Sequence, residues 1–293
     1  MEKFKFMRFA QWQDYELLDT SEGNRLERWG NKILIRPDPQ IIWKSDFAKE
    51  TWNNPDGIYH RSNKGGGNWQ IITDIKDKWR LSYKDLNFYV KTMGFKHTGI
   101  FPEQAVNWDL IRDMILKSGR RLNILNLFAY TGGATLACTK VGAKVCHVDS
   151  SKGMVSWAKE NAFISNIADD AIRWIVDDCI KFVKKEIRRE KKYDAIIMDP
   201  PSYGRGSNGE IWKIEKDLYL FLDLCEKLLS ENPAFFILNS YTTGLSPYTM
   251  HYMLSKVLKK KRGGKVSCSE IGIPVKSTGL ILPSGSTAIW EST

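Results

Sequence analysis

The chain has 293 residues, of which 42% are hydrophobic and 27% charged, a composition typical of a globular protein with a sizeable core. No stretch approaches 18 uninterrupted apolar residues, which excludes a membrane-spanning helix, and without an apolar export signal we expect a cytoplasmic protein. Five scattered cysteines, none in C-x-x-C spacing, predict reduced thiols, and together with four distant histidines they predict no metal site.

The formal net charge is +10, and the excess is clustered. Residues Lys181 to Lys192 include seven basic and two acidic side chains, and Lys256 to Lys265 include six basic ones. Such runs can simply be solvated helix faces. Combined with eleven Trp and eleven Tyr, however, the charge favours nucleic acid as a partner, because lysine and arginine release counterions from phosphates.

Residues 1–85 differ in pattern from the rest of the chain. Short runs of β-branched and aromatic residues, separated by turn clusters, predict a small β-rich module. The predicted strands are Tyr15 to Leu18, Lys32 to Ile35, Ile41 to Trp43, Trp69 to Thr73 and Trp79 to Tyr83.

Residues 86–117 form a predicted connecting segment. It begins as a strand and ends as a helix from about Glu103. Its irregular loop, His97 to Gln104, either folds over the mouth of the following unit or fills space in the packing.

The stretch from Leu122 to Asp149 predicts a strand, a turn at Thr131-Gly132-Gly133, a small-residue helix and a second strand ending on an acid. Glycines at the turn let a ligand approach the backbone, and Asp149 can accept two hydrogen bonds from a ribose diol. The G-x-G-x-x-G spacing of dinucleotide sites is absent, and Phe128 and Tyr130 crowd the turn. The pattern favours an adenosine ligand without pyrophosphate, commonly S-adenosylmethionine, although an ordinary βαβ unit is the alternative.

From Ser151 onwards the sequence predicts alternating helices and strands in a domain of residues 118–293. Strands separated by crossover helices require a parallel sheet, so we expect an α/β fold with a seven-stranded, mostly parallel sheet. The predicted helices are Ser151 to Ile164, Cys179 to Arg189, Ile211 to Leu229 and Tyr248 to Lys260. The predicted strands are Ile172 to Val176, Ala195 to Met198, Ala234 to Leu238, and a closing hairpin of about Val266 to Ile271 and Ser286 to Trp290.

Acidic residues follow three consecutive predicted strands, at Asp149, Asp177-Asp178 and Asp199. Ligands of open α/β sheets bind at the carboxyl ends of the strands, so these acids are expected at one rim. The first would hold ribose hydroxyls, the second an adenine amino group, and the third something at the reacting end.

The sequence Asp199-Pro200-Pro201-Ser202-Tyr203 is the most specific motif. Paired prolines hold the backbone extended and free of N–H donors, which leaves carbonyls and the Asp199 carboxylate as acceptors for a base. Tyr203 could stack on an extruded base. A rigid turn without catalytic duty is the alternative.

The segments LNLFAYTGGATLAC, HVDSSKGMVSWAKEN and MDPPSYGRG closely resemble the bacterial family of S-adenosylmethionine-dependent methyltransferases that includes the 23S ribosomal RNA cytosine-C5 and guanine-N7 enzymes. The segment HTGIFPEQAVNW is similar to the stretch that precedes the cofactor fold in that family. The resemblance implies a Rossmann-like class I fold that binds S-adenosylmethionine. It assigns Phe128, Tyr130, Thr131 and Gly132 to the methionine side, Asp149 with Ser150 to the ribose, Asp177 or Asp178 to the adenine, Asp199 with Pro200 to the methyl group, and Phe101 and Gln104 to a lid.

One departure from the family pattern limits the chemistry. Cytosine-C5 transfer needs a cysteine thiolate, but neither residues 239–244 nor the positions after Pro201 contain one. We therefore expect methylation of a base nitrogen of RNA, with ribosomal RNA as the expected substrate and with ring and exocyclic nitrogens both open. A methyltransferase for a small molecule or a protein, and a non-catalytic RNA-binding scaffold, remain alternatives, and a homodimer is left open.

Overall fold

The structure is a computed structural model that describes residues 7–45, 49–62, 66–75, 77–205, 209, 211–242 and 244–292. Two predicted loops fall in part outside these residues. They are the loop after Asp199, at residues 206–208 and 210, and the loop after the fifth strand of the main domain, at residue 243.

The strands of the described chain are β1 Met7–Arg8, β2 Tyr15–Ser21, β3 Asn24–Trp29, β4 Lys32–Pro37, β5 Gly57–Arg61, β6 Gly67–Ile71, β7 Trp79–Tyr83, β8 Leu86–Val90, β9 Asn123–Leu127, β10 Lys144–Asp149, β11 Ile172–Val176, β12 Ala195–Met198, β13 Tyr203–Arg205, β14 Ile211–Lys213, β15 Phe235–Ser240, β16 Lys265–Pro274 and β17 Ile281–Glu291. The helices are α1 Ala105–Lys117, α2 Gly133–Lys140, α3 Lys152–Ile164, α4 Cys179–Arg188, α5 Ile214–Glu226, α6 Pro247–Leu254 and α7 Lys260–Arg262, with a π-helical segment at Ser255–Lys259. Short 3₁₀ turns occupy Lys49–Trp52, Pro102–Gln104 and Asp169–Ala171.

The chain forms two compact units. The larger unit comprises the described residues of Met1–Arg8, Val106–Ile271 and Ser284–Thr293. The smaller unit comprises Phe9–Ala105 and Gly272–Pro283. The predicted limits at residues 85 and 117 do not coincide with these units, because β8 and the turn at Pro102–Gln104 group with the N-terminal strands.

The larger unit is built on one sheet with the strand order β1-β16-β17-β15-β12-β9-β10-β11. The neighbours from β15 through β11 are parallel, and β17 is antiparallel to β15. The predicted seven-stranded, mostly parallel sheet is therefore confirmed. In addition, the two-residue strand β1 pairs with the edge strand β16, which the sequence did not predict.

Both faces of this sheet are buried. On one face, Leu125 and Leu127 of β9 pack in a cluster with Phe182 of α4 and Phe221 of α5. On the other face, Ile124 packs in a cluster with residues of α1 and α2. A strand buried on both faces must be apolar at successive positions, which is why the central strand appears in the sequence as a continuous apolar run.

Side-chain caps determine where the helices start. The Ser151 hydroxyl accepts a hydrogen bond from the Met154 amide at 3.3 Å and so begins α3, as predicted. The Asp178 carboxylate accepts from the Lys181 amide at 2.9 Å and begins α4. Each cap lies two residues after the end of a strand, so the helix begins close to the edge of the sheet where that strand ends.

Part of the helix predicted from Ile211 to Leu229 is wrong. Tyr203–Arg205 and Ile211–Lys213 pair as an antiparallel hairpin instead, so α5 starts only at Ile214 and ends at Glu226. The hairpin was missed because two three-residue strands are too short to show an alternating pattern.

The smaller unit contains the five-stranded sheet β2-β3-β4-β5-β6 and the hairpin β7-β8, which confirms the predicted β-rich module. Glu22 and Gly23 join β2 to β3 with φ values of 45° and 81°, the positive pair that a tight hairpin turn requires. Ile41 is buried but lies outside any strand, so the strand predicted from Ile41 to Trp43 is wrong. The strands β3 and β5 were not predicted.

A buried ion pair lies in the core of the smaller unit. Glu27 is fully buried and accepts hydrogen bonds from the Tyr15 hydroxyl and from Nη2 of Arg36, both at 2.7 Å. The Arg36 guanidinium also stacks over the Trp29 ring, 4.8 Å from its centroid. Burial by itself would raise the pKa of Glu27, but the Arg36 charge and hydrogen bonds outweigh it and lower the pKa.

Candidate active site

The strand register brings the predicted acids to one edge of the larger sheet. Leu127 at the end of β9 is aligned with Val148 of β10 on one side and Met198 of β12 on the other. Asp149 is the last residue of β10, and Asp199 directly follows β12. Because neighbouring strands are about 4.8 Å apart, the backbones at Asp149 and Asp199 flank the central strand at roughly 10 Å.

The turn after β9 has an unusual backbone. Phe128, Tyr130 and Gly132 adopt positive φ values of 55°, 51° and 93°. At a non-glycine residue this conformation costs about 1–3 kcal/mol and persists only where the surroundings hold it. Here the Phe128 amide donates to the sulfur of Cys179 at 3.3 Å. The turn is therefore fixed in shape before any ligand arrives.

A buried asparagine of α3 also contacts the turn after β9. Asn161 is fully buried, and its side-chain amide donates to the Thr131 carbonyl at 3.0 Å. Thr131 is itself buried. Asn161 was not predicted as a site residue, because a lone asparagine inside a helix carries no distinguishing signal in the sequence.

Asp149 connects this turn to the end of β10. One carboxylate oxygen accepts from the Tyr130 amide and the other from the Ser151 amide, both at 2.9 Å. A carboxylate offers about four lone-pair positions, so about two remain for a ligand. Burial raises the pKa of Asp149, and the two amide hydrogen bonds counteract it in part. Ser150 is exposed beside it.

The two acids after β11 have different surroundings. Both carboxylate oxygens of Asp177 are used, one by the Asp178 amide at 3.0 Å and the other by Nζ of Lys185 at 2.6 Å. Asp178 uses Oδ1 to cap α4, and its Oδ2 makes no hydrogen bond within the described chain. Asp178 keeps one whole oxygen for a ligand, whereas Asp177 is already paired with the charge of Lys185, so of the two alternatives left by the sequence the geometry favours Asp178.

The loop after β12 turns two of its carbonyls towards the β13-β14 hairpin. The Pro201 carbonyl accepts from the Trp212 indole N–H at 2.6 Å, and the Ser202 carbonyl accepts from the Ile214 amide at 3.1 Å. Pro200 is buried and has no N–H of its own. The Pro201 and Ser202 carbonyls are therefore used within the protein, and the Asp199 carboxylate and the Pro200 carbonyl stay the acceptors predicted for a ligand.

Two exposed tyrosines lie near this loop. Tyr203 begins β13 and is 50% exposed. Tyr241 directly follows β15 and is 54% exposed. Partial burial raises the pKa of Tyr241, and the negative charge of Asp199 raises it further. Tyr241 was not predicted as a site residue, and only its position after a strand could have indicated it.

The ring of Phe128 packs in a cluster of aromatic side chains. The Phe128 ring lies 5.4 Å from Trp212 and 6.0 Å from Phe221, measured between centroids. The cluster thus packs the turn after β9 against the hairpin after β12. The sequence predicted Trp212 in a helix, so its contact with Phe128 was not predicted.

The two predicted lid residues, Phe101 and Gln104, belong to the smaller unit. Phe101 packs edge-on against His97 with a centroid distance of 5.1 Å, and its carbonyl accepts from the Gln104 amide at 3.0 Å. Their role as a lid stays a prediction.

The cysteines are unsuited to nucleophilic chemistry. Cys138, Cys146, Cys179 and Cys225 are buried, and Cys268 is partly buried. Burial raises the pKa of every one of these thiols, to about 11 for Cys146. A raised pKa disfavours the thiolate, which is the nucleophilic form.

Within the described ranges, no three His, Cys, Asp or Glu side chains are grouped so as to hold a metal ion. Over the same part of the chain, no helix has the length and apolarity needed to cross a membrane.

Comparison with known proteins identifies the fold and the family. Residues 57–222 match the family model described as S-adenosylmethionine-dependent methyltransferase. A crystal structure of the SAM-dependent methyltransferase from Agrobacterium tumefaciens is 34% identical, with 98% of this chain and 93% of that chain covered and a TM-score of 0.92. A putative SAM-dependent methyltransferase from Streptococcus mutans, at 18% identity with 96% of this chain and 76% of that one covered, shares the fold with a TM-score of 0.73.

A curated relative adds a second line of similarity. The ribosomal RNA large subunit methyltransferase K/L of Shewanella frigidimarina is 31% identical over 171 residues, which are 58% of this chain and 23% of that protein. The chain thus spans about a quarter of the length of the curated relatives it matches.

The hydrogen-bond acceptors of the site fit S-adenosylmethionine. Asp149 retains acceptor positions for a ribose diol, and Asp178 retains one for an amino group. The space that a Cβ would take at Gly132 and Gly133 is filled by the side chains of Leu136, Ala158 and Trp108, so these two glycines are required by packing. Together with the matches above, which include most of the site, these features show that the chain belongs to the S-adenosylmethionine-dependent methyltransferase family.

Proposed function

We propose that this chain methylates a base nitrogen of RNA, with ribosomal RNA as the substrate, in the cytoplasm and without a covalent enzyme intermediate. The observation that carries the proposal is the strand register, which aligns the proline-stiffened acceptor loop of Asp199 and Pro200 with the carboxylate of Asp149 across the central strand. The curated relatives named as ribosomal RNA methyltransferases support the choice of substrate.

Four groups of residues are proposed to hold the cofactor, which supplies an electrophilic methyl group on a sulfonium centre. The turn of Phe128, Tyr130, Thr131 and Gly132 would lie along the methionine portion. Asp149, with the neighbouring Ser150, would accept the ribose hydroxyls. Asp178 would accept the adenine amino group, while Asp177 stays paired with Lys185.

Asp199 and Pro200 are proposed to orient the target base. The Asp199 carboxylate and the Pro200 carbonyl are acceptors, so they would bind N–H donors of a base and leave its nitrogen lone pair directed at the methyl group. Positioning of this kind can supply most of the rate enhancement of a displacement that already has a good leaving group. Tyr203, half exposed beside this loop, would stack on the base.

The surroundings of the cysteines support a direct transfer. Cytosine-C5 methylation needs a thiolate that attacks the ring. All five thiols are at least partly buried with raised pKa values, and none lies in the loops after β12 or β15. A base nitrogen, which carries its own lone pair, needs no such activation.

The experiment that tests this function is nucleoside mass spectrometry of RNA from a strain that lacks the chain, compared with the same strain carrying it. We expect one methylated base to disappear and to return on complementation, and not to return with Asp199→Ala. In vitro, the purified chain with labelled S-adenosylmethionine should transfer label to unmodified ribosomal RNA. Transfer to protein or to small-molecule fractions, with RNA unlabelled, would contradict the proposal.

A further inference from the structure

We infer that the cleft between α4 and α5 binds the phosphate backbone of the RNA substrate, an inference that rests on the function proposed above. The cleft has a volume of about 480 Å³. Five cationic side chains line it, together with the apolar Ile187 and Leu224, and no acidic side chain does. The five cations are Lys181, Lys184, Lys185 and Arg188 of α4 and Lys227 just after α5. We call this site the basic cleft.

Helix stability explains only some of the cations of the basic cleft. Those of α4 stand at spacings of three and four residues, so each has a like charge as its neighbour on the same helix face, which destabilises a helix. Lys181 is the third residue of α4, at the positive end of the helix dipole, where a cation is unfavourable. Lys185 and Arg188 lie in the last turn of α4, where the dipole favours cations, so helix stability explains those two but not Lys181 and Lys184, for which a polyanionic ligand is the better explanation.

Nearby acids neutralise only part of this charge. Lys185 is paired with Asp177 at 2.6 Å. Glu186 belongs to the same helix but is fully buried, where it accepts from the Tyr193 hydroxyl and pairs with Arg173 and Arg189. In the described part of the chain, Lys184, Arg188 and Lys227 form no salt bridge, so their charges are available to phosphates.

The basic cleft is continuous with the candidate active site. Lys181 donates its amide to the Asp178 carboxylate, and Lys185 holds Asp177, so the first two turns of α4 border the edge where the cofactor is proposed to bind. A helix of ten residues is about 15 Å long, enough to follow several nucleotides of a strand. An RNA strand held in the basic cleft would therefore lead towards the acceptor loop.

A membrane surface fits this site less well than RNA does. Insertion into lipid needs exposed apolar side chains beside the charges. Ile187 and Leu224 are instead half-buried against the core of the larger unit. They form the floor of the cleft and leave the lysines and arginine as the contacting groups.

The test is the double variant Lys184→Gln/Arg188→Gln. Its control is Lys140→Gln/Lys144→Gln, which removes the same amount of charge at the end of α2 and the start of β10, outside the basic cleft. Binding of a fluorescently labelled single-stranded fragment of unmodified ribosomal RNA is measured by anisotropy across a salt series. Each phosphate contact contributes about 0.7 to the slope of log K against log salt for a single strand. We expect the basic-cleft variant to lower that slope by about 1.4 and the control to leave it unchanged.

The outcomes separate this inference from the function on which it rests. S-adenosylmethionine affinity should be unchanged in both double variants. If the basic-cleft variant fails to fold, the single variant Lys227→Gln, just after α5, replaces it with an expected slope change of about 0.7. Equal slopes for both variants, with wild-type chain methylating RNA, would overturn the basic cleft alone. A wild-type chain that neither binds nor methylates RNA would overturn the proposed function, and the basic cleft with it.

Discussion

The Asp149→Asn substitution tests the centre of the proposed cofactor site. In the folded chain, each carboxylate oxygen of Asp149 accepts from one backbone amide, of Tyr130 and of Ser151. Asparagine has one acceptor oxygen, so one of these amides would face an N–H₂ donor. A hydrogen bond to a charged group contributes about 1.5–3 kcal/mol, and the free energy of unfolding should fall by about that amount.

Cofactor affinity should fall for the same reason. If the ribose diol donates to Asp149, losing one charged acceptor costs about 1.5–3 kcal/mol, which raises the dissociation constant about ten- to 150-fold. Burial raises the pKa of Asp149 above its ordinary 3.8, so wild-type affinity should also weaken as the pH falls through that raised pKa. Calorimetric titration with S-adenosylmethionine at several pH values measures both effects, and denaturant unfolding measures the first.

Asp170→Asn is the matched control, because Asp170 is an exposed aspartate on the same unit. It should change neither the affinity nor the stability. An Asp149→Asn chain that binds S-adenosylmethionine within about twofold of wild type would remove Asp149 from the cofactor site and refute the proposed placement of the ribose.

Three further predictions concern the acceptor loop and the smaller unit. Asp199→Ala should abolish methyl transfer. The dissociation constant for S-adenosylmethionine, measured by calorimetry, should stay within about tenfold of wild type, a change below roughly 1.4 kcal/mol. Substantial remaining activity would remove Asp199 from the mechanism. Tyr203→Ala should weaken RNA binding, measured by fluorescence anisotropy, by about 1–3 kcal/mol, or about five- to 150-fold. Tyr203→Phe retains the ring and should bind RNA like wild type. Equal losses of affinity in both variants would argue against stacking. Glu27→Gln should lower the free energy of unfolding by about 3–5 kcal/mol, because it leaves the buried Arg36 without its counter-charge. Since the folded-state pKa of Glu27 is lowered, its contribution is present above the ordinary 4.5 and lost as the pH falls, so denaturant unfolding of the variant should depend less on pH in the acidic range; an unchanged pH dependence would contradict this account.

The elements that local signals determine could be predicted from the sequence. The Ser151 cap set the start of α3, and the apolar runs ending at Asp149, Val176 and Met198 gave three strand ends. Because crossover helices force those strands to be parallel, the shared edge followed from the order of elements alone.

Features that depend on distant partners could not be predicted. The β13-β14 hairpin, held by the Trp212 indole on the Pro201 carbonyl, has no periodic signal of its own. The positive φ values at Phe128 and Tyr130 contradict the usual preference of non-glycine residues, so no local rule would assign them. Strand β1 exists only because β16, more than 250 positions later, offers it an edge.

The return of Gly272–Pro283 to the smaller unit constrains how the protein can be made and cut. Asp19 and Ser277 are 258 positions apart, yet the Ser277 hydroxyl donates to the Asp19 carboxylate, and the Lys276 amide donates to the Leu17 carbonyl. During translation, the smaller unit cannot be completed until the ribosome has synthesised residue 283, so its first hundred residues must wait for almost the whole chain. Equally, a protease cut between residues 105 and 106 would leave the two fragments associated, since each unit contains strands from both sides of the cut.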